Sequence, residues 1–311
     1  MDSEDSTIEI GDVVAGGDPS SFSGVPLAPR AGASPEQPRV PCPSCAAGAD
    51  SGMDPAYVYA VGRIETRIPT LSLEKEIAQA TARASTKGKT DREALHAVLA
   101  AKENRYLVRG LCWVLTVQGL ETYILRPRDP ADFDLLVEAI AGPSQIAPCM
   151  SLVIGTRGPM APPEACNGLM VPIVAFDQLY TFDSATLVSA IPRPEKMSEK
   201  QFAPAAEELF ARIMQMTDNA GATDEHRSLN YLAMRYPAIY AMTCEQFAKD
   251  CALSGVSVQR SDLSATRNIV EVVISYTHRN TDHTERFFTR VDVTEEYPFL
   301  VSKLAPYYHR T

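Results

Sequence analysis

The chain has 311 residues, a formal net charge of −10 and 45% hydrophobic residues. This length supports one large or two modest domains with a real core, and the acidic balance excludes a general nucleic-acid surface, which needs clustered Lys and Arg. Apolar stretches such as Leu111 to Val117 and Leu169 to Phe176 fall far short of the roughly 20 residues that span a bilayer, and the acidic start "MDSEDSTIEI" lacks the basic-then-apolar order of a signal peptide. A soluble cytoplasmic protein without membrane or nucleic-acid partners is expected. Seven cysteines, odd in number and irregular in spacing, read in that compartment as core thiols, metal ligands or nucleophiles rather than a disulfide framework.

Residues 1–52 lack sustained periodicity. "GGDPSSFSGVPLAPRAGASPEQPRVP" is turn and linker chemistry, too poor in large apolar residues to offset the entropy of ordering. A flexible arm is expected there, followed by a folded region over 53–311.

Folding signals begin at Tyr57, where "YVYAVGRIETRI" predicts a strand. "SLEKEIAQATARAS" predicts a helix capped by Ser72. In "TDREALHAVLAAKE" Thr90 caps a second, with Leu95, Val98 and Leu99 as its apolar stripe. "YLVRGLCWVLTVQGLETYILRP" reads as a hairpin, with arms over about 106–117 and 121–125 and Gly119 in the turn. "DPADFDLLVEAIAG" is a short helix behind Asp129 and Pro130. "MSLVIGTRG" and Val171 to about Tyr180 are further strands, separated by a Pro- and Gly-rich loop that holds Cys166; Asp183 opens a short helix.

A helical cluster is predicted over about 198–253, built from "SEKQFAPAAEELFARIMQMTDNAG", "TDEHRSLNYLAMRY" and "YPAIYAMTCEQFAKDCALSG". The strands "NIVEVVISYTHR" and "ERFFTRVDVT" then form a hairpin about "NTDHT", and "YPFLVSKLAPYY" packs back as a short apolar end. The fold class is α+β, with a mixed or antiparallel sheet carrying hairpins, and a seam near 192–198.

Cys42 and Cys45, in "VPCPSCAAG", have the two-residue gap that lets two thiolates face one tetrahedral zinc at about 2.3 Å. One pair is half a site. Cys166, in its loop, is the best third ligand; Cys112, in a strand beside Trp113, and Cys149, at a strand start, compete for the fourth place. Incidental cysteines and a redox pair are the other readings of Cys42 and Cys45. A redox pair needs a helix N-terminus to lower the thiol pKa, and no helix pattern follows here. Zinc bound this way pins the arm to the domain, because metal binding supplies ordering free energy.

Cys244 and Cys251, about 10 Å apart along one predicted helix, read as core thiols. Glu225, His226 and Arg227 early in a helix have the residue types for acid–base work but read as a solvated first turn, and His278 and His283 as a polar hairpin tip. Nothing singles out a nucleophile elbow, P-loop or dinucleotide fingerprint.

Five long strings, "YVYAVGRIETRIPTLSLEKEIAQ", "LCWVLTVQGLETYILRPRDP", "PPEACNGLMVPIVAFDQLYTF", "MQMTDNAGATDEHRSLNYLAMRYPAIY" and "VDVTEEYPFLVSKLAPYY", resemble the C-terminal domain of cyanobactin maturation proteins. The resemblance spans about 57–308. It implies a place in the maturation of ribosomally made precursor peptides, in a domain without an established catalytic centre. In the family that domain is joined to subtilisin-like proteases; 50 residues of arm hold none, so a stand-alone copy is expected. The family pattern of a Cys-x-x-Cys ahead of the first strand and a cysteine in "CNGL" matches Cys42, Cys45 and Cys166, which adds weight to a structural zinc.

The expected function is a non-catalytic accessory module that binds a precursor peptide or a peptide-modifying enzyme, with exposed hairpins available for strand addition. The alternative is a peptide-modifying enzyme, with Cys166 as nucleophile or a zinc-bound water as the reactive species. A homodimer in which the arm reaches across to the partner subunit is the third reading.

Overall fold

β1 (Tyr57–Arg67) sends Val58, Ala60 and Ile64 into one core and Tyr59 and Val61 into another, as the two-residue period of a strand buried on both faces dictates. The computed structural model describes residues 56–84, 88–141, 149–192, 198–216 and 218–308, and residues 52–311 group as one unit. The expected arm over 1–52, with Cys42 and Cys45, lies outside the described residues, as do residues 193–197 of the expected seam.

Three helices follow β1: α1 (Leu71–Arg83), α2 (Asp91–Leu99) and α3 (Arg105–Gly110). Thr90 caps α2 in a full capping box with Glu93. The cap of α1 is Thr70, not Ser72, its hydroxyl accepting from the Leu73 N–H. Next come β2 (Cys112–Val117), β3 (Leu120–Pro127), α4 (Phe133–Ile140), β4 (Met150–Met160) and β5 (Pro172–Phe182).

These five strands close into a barrel in the order β1-β2-β3-β5-β4. β3 and β5 are parallel and the other pairs antiparallel. Five strands in this order, with a helix between β3 and β4, make an OB-type barrel. Val58, Trp113, Leu115, Leu125, Val153 and Phe176 share one buried cluster with Leu107 of α3 and Leu136 and Ile140 of α4.

The second half runs α5 (Ser184–Ala190), α6 (Glu199–Met214), α7 (Asp224–Arg235) and α8 (Ala238–Ala248), then β6 (Cys251–Arg260), β7 (Ile269–His278), β8 (Thr284–Asp292) and β9 (Phe299–Pro306). The last four strands form an antiparallel meander in chain order. Its inner face (Val270, Val272, Ile274, Tyr276) shares a core with Phe202, Leu209 and Ile213 of α6 and Leu229 and Leu232 of α7.

The α+β class and the expected hairpin β7–β8 stand. Besides the α1 cap, two local readings do not. Tyr106–Gly110 is helix rather than strand, because a helical turn buries Leu107 and Val108 and aims the Val108 carbonyl at the Trp113 indole N–H, 2.9 Å away. The helical cluster ends at Ala248, and Cys251 starts strand β6 instead of sharing a helix with Cys244. Val256 and Val258 are β-branched and pack on the helical core from a strand, a pairing with β7 that local pattern does not announce.

Candidate functional site

Cys112 opens β2, and Cys166 ends a 3-10 turn (Pro163–Cys166) in the β4–β5 loop. The structure joins them as a disulfide, with Cα atoms 5.6 Å apart across 54 residues of sequence. Cys166 was expected in a Pro- and Gly-rich loop, as the best third zinc ligand. It is instead fully buried, in a small cluster with Val114, Ile124 and Ala161. Asn167 follows in the left-handed region (φ 47°) and turns the chain back.

Of the four sequence-predicted zinc ligands, the fold thus brings two together. Cys42 and Cys45 lie outside the described residues. Cys149, the competitor for the fourth place, is partly exposed and unbonded. Among the described residues no group of three or more His, Cys, Asp or Glu is arranged to hold a metal ion. Cys244 is buried, and burial raises its thiol pKa, so it is a core thiol as expected.

A cleft of about 770 Å³ opens where the flank of β1 and β2 meets the end of α6. Arg63 and Glu65 of β1 and Thr116 of β2 line it on one side, and Met150 and Met214 on another. The β2–β3 turn is fixed over it. Gln118, at φ 51°, donates its side-chain amide to the carbonyls of Met214 (2.6 Å) and Met216 (2.7 Å). Glu65 accepts from the Thr116 hydroxyl at 3.4 Å, and Glu121 pairs with Arg67 at 3.2 Å. Arg63 is exposed and has no ion-pair partner among the described residues.

A second polar site ties the barrel to the β8–β9 loop. Asp177 of β5 pairs with Arg128 at 3.2 Å, and Arg128 also donates to the Thr156 hydroxyl. The carboxyl of Glu296 faces Asp177. Asp177 Oδ2 and Glu296 Oε1 are both buried without another partner, an arrangement in which a proton held by Glu296 can bridge to Asp177. Burial first, then hydrogen bonding and charge from Asp177, push the Glu296 pKa up to about 7, against the lowering pull of Arg128 and Arg227. Arg227 of α7 is almost wholly buried and donates to the carbonyls of Val293 (2.7 Å) and Glu295, which holds the loop in place.

Arg227 was expected on a solvated first turn. It is a structural clasp instead. Its neighbour His226 is partly buried, which lowers the imidazole pKa, and its Nδ1 has no partner. His278 and His283 sit at the β7–β8 tip as expected, joined by a backbone hydrogen bond of 2.8 Å.

Asp177 and Glu296 escaped reading by motif. Both fall inside the long strings that carried the family resemblance, which was the one signal available for them.

That resemblance holds. Residues 196–307 match the family described as PatG C-terminal. A solved structure titled "PatG Domain of Unknown Function" superposes with a TM-score of 0.65 at 18% identity, over 81% of this chain and 98% of that one. At that identity the likeness is one of fold. No curated protein matches the chain. Among the described residues no helix is long and apolar enough to cross a membrane.

Proposed function

We propose that this chain is a cytoplasmic, non-catalytic accessory module of a cyanobactin-type pathway, which binds a precursor peptide or a peptide-modifying enzyme. The observation that carries the reading is the fold shared along 98% of the PatG domain, together with the family match over 196–307. The distribution of strand edges adds support. The barrel is closed, whereas the second sheet ends on β6 and β9. β9 carries Lys303, Pro306 and two register shifts against β8, features that blunt an edge. From Gly255 to Arg260, β6 pairs with β7 in unbroken register and contains neither Pro nor an acid. Such an edge takes an extended peptide by strand addition.

The rival enzyme reading is weakened at Cys166, whose full burial keeps its sulfur from a substrate in either redox state. Glu296 is the group that favours the rival in another form. A carboxyl titrating near neutrality is poised for proton transfer.

The structural zinc belongs to the same proposal, in the reduced state. A disulfide sulfur is no thiolate ligand, and a reducing cytosol keeps cysteines as thiols. Reduced Cys112 and Cys166, already adjacent, then supply half of a four-thiolate site that Cys42 and Cys45 complete.

The test is to incubate the purified chain with the precursor peptide of its gene neighbourhood and with the neighbouring modifying enzymes, measuring binding by fluorescence anisotropy and peptide mass by mass spectrometry. Saturable binding without a mass change is expected. A mass change produced by this chain alone, abolished in Glu296→Gln, would establish the enzyme instead. Sedimentation with and without residues 1–52 separates either outcome from the homodimer reading, in which the arm crosses to the partner.

A further inference from the structure

The cleft beside β1 differs from the β6 edge in recognising side chains rather than backbone. Its volume of about 770 Å³ lies in the range of small-ligand clefts and can take a few side chains of a peptide laid across it. Its apolar contacts come from Leu120, 70% exposed at the tip of the β2–β3 turn, and from Met150 and Met214. Methionines repack around unlike side chains, as a site serving varied sequences requires. Gln118 anchors the turn to α6 through two hydrogen bonds, so the cleft is preformed.

The charges decide what enters. Glu65 is engaged by Thr116 and Glu121 by Arg67. Arg63 alone offers an uncommitted guanidinium. Arg92 stands close enough to repel it, but its own fork is spent on the carbonyls of Ala139 and Ile140. A polyanion such as a nucleic acid meets the charges of Glu65 and Glu121, which line the same cleft as Arg63, on a chain of net charge −10. A single carboxylate meets less of that repulsion than a polyanion does and can take the Arg63 fork.

We infer that this cleft binds an extended peptide segment that sets one carboxylate side chain on Arg63 and a neighbouring apolar side chain among Leu120, Met150 and Met214. The inference deepens the peptide-binding reading above and rests on it.

An array of immobilised random octapeptides, probed with the full chain, tests it. Bound sequences should be enriched in Asp or Glu next to an apolar residue. Arg63→Gln, a change at an exposed position, should lower binding to those sequences at least fivefold and remove the enrichment. A labelled dT8 oligonucleotide should bind at least tenfold more weakly than the best peptide. An array without acidic–apolar enrichment, unchanged binding by Arg63→Gln, or preference for dT8 overturns the inference. Capture of the precursor peptide by Arg63→Gln at wild-type strength also overturns it, while leaving the accessory-module reading intact. Loss of capture by the wild-type chain overturns that reading itself.

Discussion

Asn219 and Asn230 hold one another by their side-chain amides, with the Asn219 nitrogen 2.8 Å from the Asn230 oxygen and the reverse bond at 3.1 Å. Both are buried, and Asn230 also donates to the Tyr59 carbonyl of β1 at 2.8 Å. The pair joins the α6–α7 loop, α7 and the barrel. Asn230→Ala leaves the Asn219 side-chain oxygen and the Tyr59 carbonyl without these donors, while the Asn219 nitrogen keeps the Ile213 carbonyl at 3.3 Å, and each orphaned buried group costs about 1–3 kcal/mol. A loss of about 2–4 kcal/mol is expected in urea unfolding followed by circular dichroism.

Gly221 stands at the same junction. Its φ is 71°, its carbonyl accepts from the Tyr59 N–H at 2.8 Å, and an added Cβ would lie 2.5 Å from the Ala60 Cα. Backbone strain and collision act together in Gly221→Ala, for a destabilisation of about 2 kcal/mol or more. The same unfolding measurement reads it, and Gly119→Ala, with nothing near its Cβ, serves as the control for strain alone.

The Glu296–Asp177 contact gives stability a pH dependence. A carboxyl whose folded pKa is raised to about 7, above its unfolded value near 4.5, favours folding most below the lower value and loses that contribution as pH rises through the upper one. Between pH 5 and 7.5 the wild-type Tm should therefore contain a falling component. Glu296→Gln, which donates to Asp177 at every pH, removes it. Thermal melts of the two proteins across that range check this, and identical profiles would show that the pair shares no proton.

Closing a 54-residue loop between Cys112 and Cys166 removes chain entropy worth about 4 kcal/mol from the unfolded ensemble. Dithiothreitol should lower the Tm of the metal-free protein, and Cys166→Ala should be insensitive to it. Zinc added to the reduced wild type should restore the lost Tm, while Cys42→Ser and Cys45→Ser prevent the restoration. Metal analysis finding no zinc in the reduced, zinc-treated protein would refute the clasp.

Much of the architecture was legible where local signals and tertiary demands agree. Strands β1, β4, β7 and β8 alternate or run apolar as buried strands do, and the caps at Thr90, Asp183 and Thr223 carry the residue types caps require. Barrel closure was not legible, because the parallel pairing of β3 with β5 joins Ile124 to Ile173 without leaving a turn motif between them. The site divides in the same way. Cys112 and Cys166 could be proposed as neighbours from their chemistry alone. Asp177 and Glu296 look like ordinary surface acids until the fold stacks β5 against the β8–β9 loop. Arg63 gains meaning only beside α6, with which it has no relation in sequence.

The attachment of β1 also orders events during synthesis. The amide that satisfies the Tyr59 carbonyl belongs to Asn230 and leaves the ribosome 171 residues after it. At translation rates of roughly 5–20 residues per second, that partner arrives about 10–30 s afterwards. The barrel can close once β5 has emerged, but through that interval the Tyr59–Val61 flank stays bare of α7. A nascent chain at this stage presents an apolar seam to chaperones, and a stall before residue 230 would prolong its exposure.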